Sequence, residues 1–313
     1  MDGIINIYKP KGITSFKCVA AVRRKLGVAK AGHAGTLDPE ADGVLPVCVG
    51  RATRLSELFL TCPKSYKGRV LFGAATDTQD IWGKAVEVSD ADFLTDGDVQ
   101  KAAECFKGEI FQTPPAYSAL KVDGVPMYKK ARAGQDVKAA ARKVNIYDLS
   151  VGPLSAAERN ETFGAITKEA EIEVSCSRGT YIRTLCFDLG EKVGLPACMS
   201  ALTRTSYGPM FLENAVTLEE LGPEHVEKME VFLQNYPFID LSEKRLDDFV
   251  RGRQLTVNPF DIMRPEKDML YPMPEENEAL LMFNGAAVAV AQLKPVESGG
   301  WTVSSKKFLG GGL

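Results

Sequence analysis

The segment Gly32-His33-Ala34-Gly35-Thr36-Leu37-Asp38-Pro39-Glu40-Ala41-Asp42-Gly43-Val44-Leu45 constrains this chain more than any other stretch. Its three glycines open backbone conformations that other residues avoid. Pro39 pushes Asp38 toward an extended conformation and removes the backbone donor that would follow it. The result is a carboxylate presented by a tight loop, a candidate site before any architecture is known.

On either side of this loop the pattern mixes strands and helices without a regular βαβ repeat, which predicts an α+β fold with a mixed, largely antiparallel central sheet and flanking helices. Ile4 to Tyr8 reads as a short strand that turns at Lys9-Pro10-Lys11-Gly12, and a helix capped by Thr14 or Ser15 runs on to Gly27. Val44 to Gly50 is an apolar run suited to a buried strand, and Arg51 to Thr61 reads as helix. Strands are expected at Lys64 to Phe72, Lys84 to Val88, Lys143 to Val151 and Ala170 to Cys176, with helices over Gly97 to Phe106 and Thr180 to Gly190. Gln112 to Val137 is a long insertion rich in Pro, Gly and Lys, with a short helix near Met127 to Ala133. Its length and basic content suggest a flap that orders on a phosphate backbone. These readings place a larger domain at 1–237, carrying the Asp38 loop and the insertion at about 112–137, and a small β-rich domain at 238–313.

With 313 residues, 45% of them apolar, the chain can bury a sizeable core. No run approaches the ~18 apolar residues of a membrane span, and the first residues lack a signal-peptide pattern, so a cytoplasmic monomer without membrane contact is expected. Seven scattered cysteines without a C-x-x-C pair, and only two histidines, read as reduced thiols and no metal site. The net charge of -3 argues against a polyanionic partner until its distribution is considered. Residues 1 to 30 carry Lys9, Lys11, Lys17, Arg23, Arg24, Lys25 and Lys30 against Asp2 alone. Residues 121 to 143 carry Lys121, Lys129, Lys130, Arg132, Lys138, Arg142 and Lys143 against Asp123 and Asp136. The acids concentrate from Glu213 to Glu278, so a basic face is masked in the sum. The alternative is that these runs are solvated helix faces.

The order of residues around Asp38 resembles the catalytic motif of the TruB family, the tRNA pseudouridine-55 synthases. Further elements resemble the same family over about residues 3 to 218: Lys9-Pro10-Lys11-Gly12-Ile13-Thr14-Ser15, Lys64-Ser65-Tyr66-Lys67, Gly73-Ala74-Ala75-Thr76-Asp77-Thr78-Gln79-Asp80, Pro115-Ala116-Tyr117-Ser118-Ala119-Leu120-Lys121 and Cys176-Ser177-Arg178-Gly179-Thr180-Tyr181-Ile182-Arg183. The resemblance implies a pseudouridine synthase fold, with Asp38 as nucleophile, Arg183 as its ion partner and Tyr66 as the ring that stacks on the target uracil. It implies that His33 fills the space left by the flipped nucleotide, that Tyr181 contacts that nucleotide, and that Leu202 forms an apolar wall. Lys9 would pack near the loop and contact phosphate, and Lys121 would lie at the start of a loop clamping the tRNA T arm. Burial alone would neutralise Asp38, so a neighbouring cation is needed to keep it charged. No cofactor is implied, because the isomerisation involves no net redox change.

Alternatives remain at several positions. The Asp residues of 73–80 could form Asx turns, and Leu202 could be an ordinary core residue. The tail resembles a small PUA-type RNA-binding domain, or is a structural lid. A rival class is an RNA-binding, tRNA-folding chaperone, and a closer rival is a related synthase with another RNA target.

Overall fold

A computed structural model describes residues 1–122, 124–135, 137, 139–264, 274–297 and 299–310. Asp123, Asp136 and Lys138 of the basic run, and 265–273 of the tail, lie outside the described residues. Contacts divide the chain into two compact units, Met1–Cys62 with Ser206–Leu313, and Pro63–Thr205. The expected boundary at 237 therefore falls inside the first unit.

The first unit begins with β1 (Gly3–Lys9), α1 (Ser15–Lys25), β2 (Ala31–His33), β3 (Asp42–Val49) and a short α2 (Ser56–Leu60). Both β1 and β2 pair antiparallel with β3. Thr14 caps α1 by accepting the Lys17 amide at 3.1 Å, which leaves the Ser15 hydroxyl for another partner. Of the Arg51 to Thr61 stretch read from the sequence as helix, the first part, Arg51 to Leu55, belongs to a 3-10 turn that starts at Gly50. Hydroxyls there bond backward, Thr53 to the Gly50 carbonyl (2.7 Å) and Ser56 to that of Thr53 (3.0 Å), which favours the tighter winding.

The second unit holds β4 (Lys64–Phe72), β5 (Ala74–Thr76), β6 (Ala85–Val88), α3 (Asp96–Glu104), β7 (Gly108–Gln112), β8 (Lys121–Val122), β9 (Val125–Pro126), α4 (Met127–Arg132), β10 (Arg142–Leu154), β11 (Glu158–Asn160), β12 (Ala165–Cys176), α5 (Ile182–Val193) and most of β13 (Ala197–Tyr207). Its sheet runs β13-β4-β12-β10-β7, and β4 with β12, β12 with β10 and β10 with β7 are antiparallel. The insertion leaves the sheet at Gln112 and returns at Arg142, and these two residues face each other across the β7–β10 ladder.

The remainder of the first unit comprises β14 (Met210–Phe211), β15 (Phe238–Asp240), α6 (Glu243–Val250), β16 (Leu255–Val257), β17 (Glu278–Phe283), β18 (Ala286–Pro295) and β19 (Trp301–Phe308). The last five strands form a sheet in the order β15-β17-β18-β19-β16. Lys244-Arg245-Leu246, read as part of a β-rich tail, lies instead in α6, capped by Ser242. One apolar cluster joins Ile4, Val44 and Phe59 to Phe232, Leu280 and Val290, so the tail sheet and the first strands share a core within this unit. The expected α+β class, with its antiparallel pairings and β-rich C-terminal part, is what the structure contains. Among the described residues, none of the seven cysteines is in a disulfide. Among the described residues no helix is long and apolar enough to cross a membrane.

Helix α5 ends at Gly194 in the left-handed region (φ 75°), where the Leu195 amide reaches back to the Gly190 carbonyl at 3.0 Å. Midway along it, burial and the nearby Glu191 push the Asp188 carboxyl up to about 6. An unfolded Asp titrates near pH 4. The ionised form therefore weakens the fold, with no cost below about pH 4 and a cost that is complete once the pH has risen through the folded value. Asp188→Asn should raise the melting temperature at pH 8 and leave it nearly unchanged at pH 4, as checked by thermal unfolding at both pH values.

Candidate active site

In the first unit, the end of β1 and the residues after it fold back on the Asp38 loop and hold it from both sides. Lys9 is fully buried, and its ammonium donates to the carbonyls of Pro10 (2.9 Å), Ile13 (2.8 Å) and Pro39 (3.1 Å). These use all three N–H groups of a lysine. The Gly12 amide donates to the same Pro39 carbonyl at 2.9 Å. On the other side of Asp38, the buried Ser15 hydroxyl donates to the Leu37 carbonyl (3.0 Å) and accepts the Leu37 amide (2.9 Å). Asp38 is thus pinned at the residue before it and the residue after it, while its own carbonyl accepts the Ala41 amide at 3.2 Å. Its side chain is half-buried.

Gly35 shows why the loop is glycine-rich. Its φ is 68°, and a Cβ there would lie 2.8 Å from the ring of buried Tyr207, so no other residue fits. His33 ends β2 opposite Val47 and is half-buried. Asp42 closes the loop, accepting the Tyr8 hydroxyl at 3.1 Å with the Lys11 ammonium 4.0 Å away. Burial pushes the Lys9 ammonium below its usual pKa, while Cys18, Asp42, Asp38 and Glu40 act in the opposite direction. The sequence reading had Lys9 packing near the loop and contacting phosphate; in the structure its three donors are spent on the Pro39 carbonyl of the loop and the Pro10 and Ile13 carbonyls of its own segment.

In the second unit, Tyr181 and Arg183 stand at the start of α5. Arg183 is 5% exposed. It donates from Nη1 to the Thr78 carbonyl and from Nη2 to the Tyr117 carbonyl, both at 2.9 Å, and Asp80 Oδ2 lies 3.5 Å from Nη1. The first turn of a helix disfavours a cation, and α5 has no acid there, so the carbonyls and Asp80 supply the missing negative potential. Asp80 was not read from the sequence as a partner of Arg183. Its run Thr76-Asp77-Thr78-Gln79-Asp80 was open to an Asx-turn reading, and Asp80 does both jobs. Its Oδ1 accepts the Thr78 hydroxyl (2.7 Å) and the Trp82 amide (3.2 Å), which shapes the turn and leaves Oδ2 toward the guanidinium. The turn is docked on β13 through Met199, whose amide donates to the Gln79 carbonyl and whose carbonyl accepts the Ile81 amide, each at 3.0 Å. Those bonds hold Gln79 at φ 62°, a conformation costly for a residue with a Cβ.

Tyr66 on β4 and Leu202 on β13 line one face of the sheet. Gly68, two residues beyond Tyr66 and so on the same face, would carry a Cβ 3.4 Å from the Leu202 Cδ1. Both side chains are largely buried, Tyr66 at 8% and Leu202 at 6% exposure. Lys121 is exposed at the start of the small β8–β9 hairpin, away from these groups in the chain. Lys9, His33 and Asp38 thus lie in the first unit, and Tyr66, Leu202, Tyr181 and Arg183 in the second. Among the described residues, no group of three or more His, Cys, Asp or Glu is placed to hold a metal ion.

Two family models match the chain. One, described as TruB family pseudouridylate synthase (N terminal domain), covers residues 23–182, and one described as tRNA pseudouridylate synthase B C-terminal domain covers 183–250. A pseudouridylate synthase framework is therefore defined on both sides of Arg183. The chain belongs to the TruB family. A protein named tRNA pseudouridine synthase B from Geobacillus thermodenitrificans is 38% identical over 306 residues, 95% of this chain and 99% of that protein. One of the same name from Symbiobacterium thermophilum is 48% identical over 222 residues, 71% of this chain and 72% of that protein. A chain in the crystal structure of a Cbf5–Nop10–Gar1 complex shares the fold, with a TM-score of 0.70, 24% identity, and coverage of 98% of this chain and 84% of that one.

Lys9→Met keeps the stem but strands the Pro10 and Ile13 carbonyls and loosens the Asp38 loop. It should lower unfolding free energy by about 2–4 kcal/mol, measured by urea denaturation.

Proposed function

We propose that this protein isomerises the T-loop uridine at position 55 of tRNA to pseudouridine, with Asp38 as the nucleophile. The observation that carries the reading is the loop itself: a carboxylate held at the residue before and the residue after it by Ser15, Lys9 and Gly12, in a chain of the TruB family. Relatives named tRNA pseudouridine synthase B support tRNA as the substrate. In the reaction the N1–C1′ bond of uridine breaks, the base turns, a C5–C1′ bond forms, the C5 proton leaves to solvent and N1 takes up a proton. No electrons are gained or lost, so no redox group is required.

The ionised Asp38 can attack C1′ or the base, or take a proton from C2′. Arg183 is its ion partner in this reading. A guanidinium is suited to the task, being permanently charged and able to bind carboxylate and carbonyls at once. A base inside a folded RNA must be extruded, and Tyr66 stacks on it to recover part of the unstacking cost of a few kcal/mol. Leu202 walls the same face, Tyr181 contacts the extruded nucleotide, and His33 fills the space it leaves. Lys121 and its neighbours in the insertion hold the T arm, recognised by shape and unpaired bases. Lys9 acts through the loop and not on phosphate. Residues 238–313 serve as a PUA-type RNA-binding part, and the enzyme works as a cytoplasmic monomer.

The test is tritium release from a T-arm hairpin labelled at uridine C5. Wild type should release tritium, and Asp38→Asn should lose turnover by several orders of magnitude while still binding the hairpin. Arg183→Lys keeps the charge without the planar fork and should lose most of the rate with the fold intact. Tight binding without release by the wild type would favour the folding-chaperone reading and sink this one.

A further inference from the structure

Tyr181 is the N-cap residue of α5, and no side chain of the helix caps that end. Gln112 does so from outside. The Tyr181 amide donates to Gln112 Oε1 at 3.0 Å, and Gln112 Nε2 donates to the Tyr181 carbonyl at 3.3 Å, so one buried amide side chain grips both polar groups of one residue. A second residue grips the ring. The Arg142 guanidinium carbon lies 4.9 Å from the centroid of the Tyr181 ring, and Arg142 Nη2 donates to the Gly179 carbonyl at 2.7 Å. Gly179 takes φ 84°, a backbone conformation that favours glycine, and so turns its carbonyl toward the guanidinium; a Cβ there would only touch the guanidinium, at 3.5 Å. Arg142 Nε is buried without a hydrogen-bond partner among the described residues, a cost set against the stacking it permits.

Gln112 and Arg142 are direct partners across the β7–β10 ladder, at the points where the chain leaves the sheet for the insertion and returns to it. The same insertion supplies the Tyr117 carbonyl that Arg183 grips. Both helix-start residues assigned to the site are therefore tied to the insertion or its base.

We infer that Gln112 and Arg142 are positioning residues that clamp Tyr181, Gln112 by its backbone and Arg142 by its ring, and so set the wall against which the extruded nucleotide is held. The inference rests on the reading of this protein as a pseudouridine synthase. Neither residue touches the reacting atoms. Their effect passes through Tyr181 and must vanish when the Tyr181 ring is absent.

The experiment is a set of double-mutant cycles on the full chain, combining Gln112→Leu or Arg142→Met with Tyr181→Ala and with Tyr181→Phe. Two readouts are taken: single-turnover tritium release from the C5-labelled T-arm hairpin with its Kd, and the melting temperature of the free protein. Gln112→Leu and Arg142→Met should each slow release about tenfold or more, as small misplacements do, with Kd nearly unchanged. In the Tyr181→Ala background Arg142→Met should cost nothing further, and in Tyr181→Phe, which keeps the ring, its cost should return. The melting-temperature shifts of Arg142→Met and Tyr181→Ala should likewise fail to add. Rate losses that multiply fully in Tyr181→Ala, or a wild-type rate in both variants, would overturn the inference. Silence of the wild type on the hairpin would overturn the functional reading instead, and the clamp would then stand or fall on the melting-temperature cycle, where additive shifts overturn it. If Gln112→Leu fails to fold, the half-exposed Arg142 carries the same cycles alone.

Discussion

The Asp38 loop is held by hydrogen bonds lent from the end of β1 and the residues that follow it. Lys9, Gly12 and Ser15 reach it on both sides of the aspartate. The arrangement needs a cation that is not free to wander, and burial of Lys9 ensures that. It also places that cation in the field of Asp38, Asp42 and Glu40, so the same residue that secures the backbone lowers the electrostatic cost of clustering acids nearby. Residues 37 and 39, on either side of Asp38, are thus held by side chains from outside the loop.

The second unit solves a different problem, a cation buried at the wrong end of a helix. Arg183 sits where the dipole of α5 repels it, and two backbone carbonyls and Asp80 compensate. Those carbonyls come from the turn after β5 and from the insertion, so the guanidinium is oriented by segments far from it in sequence. Tyr181 is held in the same manner by Gln112 and Arg142. The start of α5 is therefore a junction, and its geometry depends on elements that the helix itself does not contain.

The charge pattern was only partly legible. Runs of Lys and Arg at 1 to 30 and 121 to 143 read as one kind of surface, yet their members differ. Lys9 is internal, Lys25 donates to the Leu218 carbonyl at 2.9 Å, Lys143 pairs with Glu109 at 2.7 Å and Arg142 lies over Tyr181. Lys17, Arg23, Arg24 and Lys30 are exposed. Composition counts charges without saying which are already occupied. Secondary structure showed a similar limit at Arg51 to Leu55, where hydroxyls turned a helical pattern into a 3-10 turn, and at Lys244 to Leu246, where a short helix stood inside a β-rich tail.

What the sequence determined by itself was local: the glycine-rich loop with Asp38 before a proline, the alternating strands, the capped first helix, and the ordered motifs by which the family could be named. These depend on backbone preferences and neighbours a few residues away, which a linear reading can follow. Only the tertiary structure decided that Lys9 serves the loop, that Asp80 faces Arg183, and that Gln112 holds Tyr181. The Gln112 and Arg183 bonds span 69 and 105 residues of chain. A side chain's donors are interchangeable until the fold brings one acceptor within reach. That choice is made by strand pairing and burial, which put distant residues side by side, and not by the residues' own identities.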